Sequence, residues 1–430
     1  GSYATTGIPS APGPRSSTWC RRRRSSSSSP IFLSMLIIGG IILDKMGVRF
    51  TGLMAATIMV VGTSIKFWAV STHALDGQVW NVLWVFPIKA QVFMAALGYA
   101  IFGVGVEVAG ITVSKIIVKW FKGKELALAM GLEMATARLG TALALATSVP
   151  LAKAFGHVSK PILFCLILLV IGLISFIIYT FMDKKLDASQ AEFDNSNNVT
   201  NEEEAFKISD IFNIITNKGW WYIAILCVLF YSAVFPFLKY AADLMVNKFG
   251  VDESLAGTIP AMLPFGTILL TPFFGNIYDR KGKGATIMLI GSLLLIFVHS
   301  MFSIPFLNHW IIAIILIIIL GIGFSLVPSA MWPSVPKIIP ENQLGTAYSL
   351  IFWVQNWGLM GVPALIGWVL DTYCVTGQKV VDGVSVNTYN YTIPMIIFTS
   401  LGILALVFAL LLKAEDKKKG YGLELPNIQK

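Results

Sequence analysis

Gly40-Ile-Ile-Leu-Asp44-Lys45-Met-Gly47 and Gly275-Asn-Ile-Tyr-Asp279-Arg280-Lys-Gly282 are two copies of one pattern: a glycine, three residues, an aspartate, a basic residue, one more residue and a second glycine. Each copy closes one apolar run and opens onto another. From Asp44 the chain continues to a helix end near Met182, and from Asp279 it runs a comparable length to one near Leu412. Two matching halves of apolar helices are how many secondary transporters are built. A soluble core has no use for a charged hairpin between two helices that are apolar all round. The repeat therefore reads as an all-α membrane carrier of two pseudo-symmetric helical halves.

Composition agrees with that reading. Of 430 residues, 56% are hydrophobic and only 13% are charged, which is too apolar for a soluble protein of this size. The net charge of +9 sits in short loops between apolar runs, so it reports topology and excludes nucleic acid as the partner. Lys45, Arg49, Lys119, Lys122, Arg280, Lys281 and the run Lys417 to Lys419 fall on one side, which the positive-inside rule makes cytoplasmic. The four cysteines are scattered, and no disulfide framework, metal spacing, phosphate loop or nucleophile triad appears. No catalytic residue, metal or cofactor is expected, and the partners are the lipid bilayer and a small-molecule substrate.

Eleven apolar segments are legible: 31–43, 51–72, 88–118, 126–150, 161–182, 220–245, 255–278, 284–303, 309–332, 344–370 and 392–412. The first, at thirteen residues, reaches only about 20 Å as a helix, short of a hydrocarbon core of about 30 Å. A full helix from Trp220 precedes the one ending at Asp279, whereas only residues 1–30 precede the one ending at Asp44. That leader is rich in Ser, Pro and Arg, and Arg21 to Arg24 oppose the charge rule on its side of the membrane. The expected organisation is an irregular, non-native leader (1–30) and an incomplete amino-terminal half (31–182). A cytoplasmic linker (183–219), a six-helix carboxy-terminal half (220–412) and a cytoplasmic tail (413–430) follow. The first helix of the usual twelve is expected to be missing, which would make this chain a poor carrier.

Within the repeat, Gly40 and Gly275 allow close backbone approach near a helix end, and Asp44 and Asp279 suit a neighbouring helix N-terminus, where partial positive charge stabilises an anion. Elsewhere, ionisable residues at mid-span are costly and usually line a pathway. Glu107 lies near the centre of span 88–118 and Arg138 near the centre of span 126–150. The pair suits a zwitterion, with Glu107 for an ammonium and Arg138 bidentate to a carboxylate; the same pair also suits a structural salt bridge between helices. Glu133 lies about 140° around the helix from Arg138, facing another helix, with proton coupling a further role open to it. Gln355 and Asn356, between Trp353 and Trp357, are candidates for hydrogen bonds to substrate or to a neighbouring helix. Lys239 and Asp243, one turn apart near a span end, read as a local ion pair or a snorkelling lysine.

The two glycine-aspartate loops resemble the signature of the major facilitator superfamily. In that family the loop acts as a conformational latch, which the resemblance extends to Gly40, Asp44, Lys45, Gly47 and Arg49 and to Gly275, Asp279, Arg280 and Gly282. Val48 stands where a basic residue is common, so the first latch is expected to be the weaker one. The stretch Glu107 to Gly140, with Trp120-Phe-Lys-Gly-Lys-Glu125-Leu inside it and Ala137-Arg138-Leu-Gly140 at its end, resembles one branch of this superfamily. Trp332-Pro333, Pro340-Glu-Asn-Gln343-Leu-Gly-Thr-Ala-Tyr348 and Val354-Gln355-Asn356-Trp-Gly-Leu359 carry the same likeness in the other half. The branch is that of major facilitator superfamily domain-containing protein 1, the lysosomal dipeptide carriers. The resemblance implies that Glu107 contacts a peptide amino terminus and Arg138 a carboxyl terminus, with Trp332, Gln355 and Asn356 nearby and Glu133 where the family has a glutamine. It implies alternating access for dipeptides or similar zwitterions, in a bacterial inner membrane or, in a eukaryote, the lysosomal membrane. An organic-anion or sugar symporter, or a non-transporting subunit that keeps the carrier fold, are the alternatives.

Overall fold

The computed structural model describes residues 30–75, 77–82, 86–196, 207, 209–252, 256–381 and 384–428. The leader 1–29, and with it the expectations of an irregular start and an absent first helix, lies outside the described residues.

The amino-terminal half is α1 (Pro30–Ser71), a short hairpin of β1 (Val79–Val82) and β2 (Phe86–Lys89), α2 (Ala90–Phe121), α3 (Leu126–Ala154) and α4 (Ser159–Ser196). α1 is two helices joined through Gly47, whose φ of 79° breaks the helical path at the repeat. A short α5 (Asp210–Thr216) leads to the carboxy-terminal half. That half holds α6 (Lys218–Phe249), α7 (Thr258–Lys281), α8 (Gly284–Ser303), α9 (Trp310–Ile338) and α10 (Leu344–Tyr373). The hairpin of β3 (Val375–Val381) and β4 (Val384–Tyr389) and then α11 (Thr392–Lys419) complete it. Among the described residues, nine helices, with α1 counted once, have the length and apolarity to cross a membrane.

Local chemistry sets several boundaries. Asn217 caps α6 by accepting the Trp220 N–H at 3.2 Å, and Gly250 ends the same helix in the left-handed region at φ 63°. The two halves meet where α3 packs on α7 and α10 packs on α1, with α9 also touching α3. The carboxy-terminal core is ringed by aromatics such as Phe230, Phe237, Phe302 and Phe398, all fully buried.

Three details differ from the sequence reading. The polar linker begins later than expected, because α4 runs on past Asp183 to Ser196. Asp183 is buried and bound by Lys119 at 3.0 Å and by the Trp120 indole N–H and the Tyr179 hydroxyl at 3.2 and 3.0 Å, with Arg49 at 3.4 Å. Asp187 binds Arg49 at 2.7 Å and Lys119 at 2.6 Å, so the polar extension has partners that keep it helical. Lys239 and Asp243 do not pair: Asp243 accepts the Tyr391 hydroxyl instead. Neither hairpin, β1–β2 nor β3–β4, was expected, although Asp382-Gly383 between Val381 and Val384 is a hairpin signal in the sequence.

Candidate functional site

The two repeat loops place their aspartates in matching positions on opposite halves. The Asp44 carboxylate accepts the backbone N–H groups of Gly345 and Thr346 at 2.8 and 2.6 Å, in the first turn of α10. Asp279 accepts those of Ala127 and Leu128 at 2.8 and 2.7 Å, in the first turn of α3. Each carboxylate thus caps a helix of the other half, where unsatisfied N–H groups and the helix dipole both favour an anion. Both side chains are fully buried, and each has a third donor: Lys115 Nζ at 2.6 Å from Asp44, and Asn427 Nδ2 at 2.8 Å from Asp279.

The glycines make these approaches possible. A side chain on Gly40 would collide with Ser349 and the Gly345 carbonyl, and one on Gly275 with the Ala127 backbone. A side chain on Gly345 would press against the Asp44 carboxylate itself. Gly47 and Gly282 carry positive φ values, 79° and 70°, which turn the chain out of one helix into the next. Lys45 is exposed at the loop, Arg280 Nε donates to Asn276 Oδ1 at 3.0 Å, and Arg49 joins the Asp183 cluster. Lys122 and Glu341 add a cross-half ion pair at 3.2 Å on the same side.

Deeper in the molecule the mid-span charges also reach across the halves. Glu107 on α2 lies beside the Asn356 side chain of α10. Arg138 on α3 donates to the Thr271 hydroxyl of α7 at 3.0 Å and lies 4.7 Å from the ring centroid of Phe324 on α9. Glu107 and Arg138 are not within ion-pair distance of each other, so the structural salt bridge between them is not formed among the described residues. Glu133 turns away from Arg138 toward α2, where the Ser114 hydroxyl lies 3.5 Å from its carboxylate.

The remaining candidates separate. Asn356 joins the charged pair, but its neighbour Gln355 is buried and accepts from the Cys227 thiol of α6 at 3.2 Å, inside the carboxy-terminal half. Trp332 is buried too; its indole N–H donates to the Tyr231 hydroxyl at 3.1 Å, and its ring stacks on Phe352 at 4.8 Å. It reaches the charged region indirectly, since Tyr231 packs edge-on against the Phe324 ring that supports Arg138. Sequence reasoning passed over Thr271, Phe324, Tyr231, Lys115 and Asn427. Lys115 carried a signal, a third charged residue within span 88–118 after Lys89 and Glu107. The aromatic and hydroxyl residues carried none, because buried Phe, Tyr and Thr are ordinary in apolar helices.

The model of the Major Facilitator Superfamily matches residues 30–363. The lysosomal dipeptide transporter MFSD1 of Bos taurus is 26% identical over 349 residues, covering 79% of this chain and 68% of the relative. Its counterpart in Gallus gallus is 29% identical over 300 residues, 67% of this chain and 65% of the relative. Among solved structures, a double-tryptophan mutant of XylE superposes with a TM-score of 0.66, covering 89% of this chain and 84% of that one, at 14% identity. That last likeness is one of fold.

Proposed function

The chain belongs to the Major Facilitator Superfamily, and on that premise we propose that it carries dipeptides or similar small zwitterions by alternating access. It is an integral, multi-pass membrane transporter, and the substrate is the step beyond. One observation carries the reading: a carboxylate and a guanidinium lie at mid-depth on adjacent helices and are not paired with each other. Neutral groups of the opposite half meet them: the Thr271 hydroxyl accepts from Arg138, and the Asn356 side chain lies beside Glu107. An unneutralised pair of this kind is costly in a membrane unless a ligand brings the complementary charges. A zwitterion brings both, its ammonium to Glu107 and its carboxylate to the planar fork of Arg138. The relatives named as dipeptide transporters support the same substrate class.

In this reading Asp44 and Asp279 are the cytoplasmic latches that release when the halves rock apart, and Glu133 is the carboxylate to examine for proton coupling. In a eukaryotic host the lysosomal membrane is the expected location. The test is uptake of a labelled dipeptide into proteoliposomes with and without an imposed pH gradient. Saturable uptake competed by unlabelled dipeptides is expected. Binding without flux would make the protein a receptor on a carrier scaffold, and competition by sugars alone would overturn the substrate class.

A further inference from the structure

Beyond the last helix, residues 420–428 double back under the carboxy-terminal half. The Lys283 and Gly284 N–H groups each donate at 2.9 Å, to the carbonyls of Glu424 and Leu423. The Glu424 carboxylate takes the Thr286 N–H at 2.9 Å and its hydroxyl at 2.9 Å, capping the first turn of α8. Lys337 Nζ donates to the carbonyls of Gly422 and Leu425 at 3.0 and 2.8 Å. The backbone N–H groups of Asn427 and Ile428 reach the Asp279 carbonyl at 3.1 and 3.2 Å. Asn427 is itself buried, with its Nδ2 on the carboxylate oxygen that also accepts the Ala127 N–H.

The two latch carboxylates are built alike except at one donor. Asp44 has two helix N–H groups and Lys115, from the second helix after its repeat copy. Asp279 has two helix N–H groups and Asn427, from the strap. The second helix after its own copy is α9, whose last turn holds Lys337. That lysine lies near enough to feel the Asp279 charge, yet its ammonium is given to strap carbonyls. Corresponding helices thus each supply a lysine, Lys115 bonding the carboxylate itself and Lys337 holding the strap that brings Asn427 to it.

We propose that residues 420–428 are a working part of the second latch, with Asn427 positioning the Asp279 carboxylate on the α3 N-terminus and Lys337 anchoring the strap. The proposal rests on the reading of Asp279 as a latch and is independent of the substrate. Displacing the strap loosens the closure of α3 on α7 and leaves that of α1 on α10 intact.

Hydrogen–deuterium exchange of the full chain in lipid nanodiscs tests this, with residues 124–130 reporting the second latch and residues 343–348 the first. Asn427→Asp sets a second carboxylate against Asp279, and Lys337→Gln frees the strap by a separate route. Each is expected to speed exchange at 124–130 roughly tenfold, the worth of one charge-assisted hydrogen bond, with 343–348 unchanged. Asp279→Asn is the control. If it leaves 124–130 protected, the latch reading fails; if it deprotects that segment and the two strap variants do not, the strap proposal fails. Equal deprotection of both segments would mean general loosening and would also overturn it.

Discussion

Arg138 shows how much one side chain's surroundings decide. Its guanidinium bonds Thr271 and lies over Phe324, and Phe324 is fixed in turn by Phe230, Tyr231 and Phe235 at ring separations of 6.1, 5.8 and 5.5 Å. Those contacts orient the fork without neutralising its charge. Replacing Arg138 by Ala is expected to reduce uptake of free-carboxyl dipeptides by about 100-fold, as when one partner of a buried charge pair is removed. Arg138→Lys should recover little, because a point charge lacks the bidentate geometry. C-amidated dipeptides, which bring no carboxylate, should lose far less, and full uptake of free-carboxyl substrate by Arg138→Ala would remove the residue from the site. Glu107→Gln should weaken free-amine dipeptides and spare N-acetylated ones. A competition assay with the two substrate forms measures that difference directly, and equal losses would assign Glu107 a structural role.

At the level of elements, the contacts between α1 and α10 and between α3 and α7 are closures that only small residues permit. Gly345→Val inserts atoms where the Asp44 carboxylate sits, so the contact of α1 with α10 must open or strain by about 1–3 kcal/mol. The expected result is faster amide exchange at residues 343–348 with residues 124–130 unaffected; no change would mean that α10 can shift without cost. The Asp183 cluster ties α4 to α1 and α2 through buried charge. Asp183→Ala leaves Lys119 and Arg49, both partly exposed, sharing Asp187 alone and is expected to cost about 1–2 kcal/mol, read as a lower thermal midpoint in detergent. A midpoint within a degree of the parent would show that Asp187 alone suffices.

Across the whole molecule, the described cross-half bonds of Asp44, Asp279 and Lys122 tie both halves together at one end, while Arg138 at mid-depth bonds a neutral partner, Thr271. The Gly-Asp-Gly repeat and the apolar spans were enough to read the chain as a membrane carrier of two helical halves, and the distribution of Lys and Arg gives the side expected to be cytoplasmic. Those features are local or periodic, and the bilayer enforces them on any sequence that carries them. The mid-span charges of Glu107 and Arg138 were legible for the same reason, since an ionisable group is conspicuous in hydrocarbon. Their partners were not. Gln355 and Asn356 are adjacent in sequence, yet one faces Cys227 inside its own half and the other faces Glu107, because successive residues on a helix point about 100° apart. Which residue completes each latch was equally hidden: Lys115 and Asn427 lie far along the chain from the aspartates they serve, and only the packing of α2 and the return of the tail bring them there. Sequence therefore determined the apolar helices and the costly charges among them, and tertiary structure alone decided what each charge meets, because contacts between helices depend on rotation and crossing that a periodic apolar pattern leaves free.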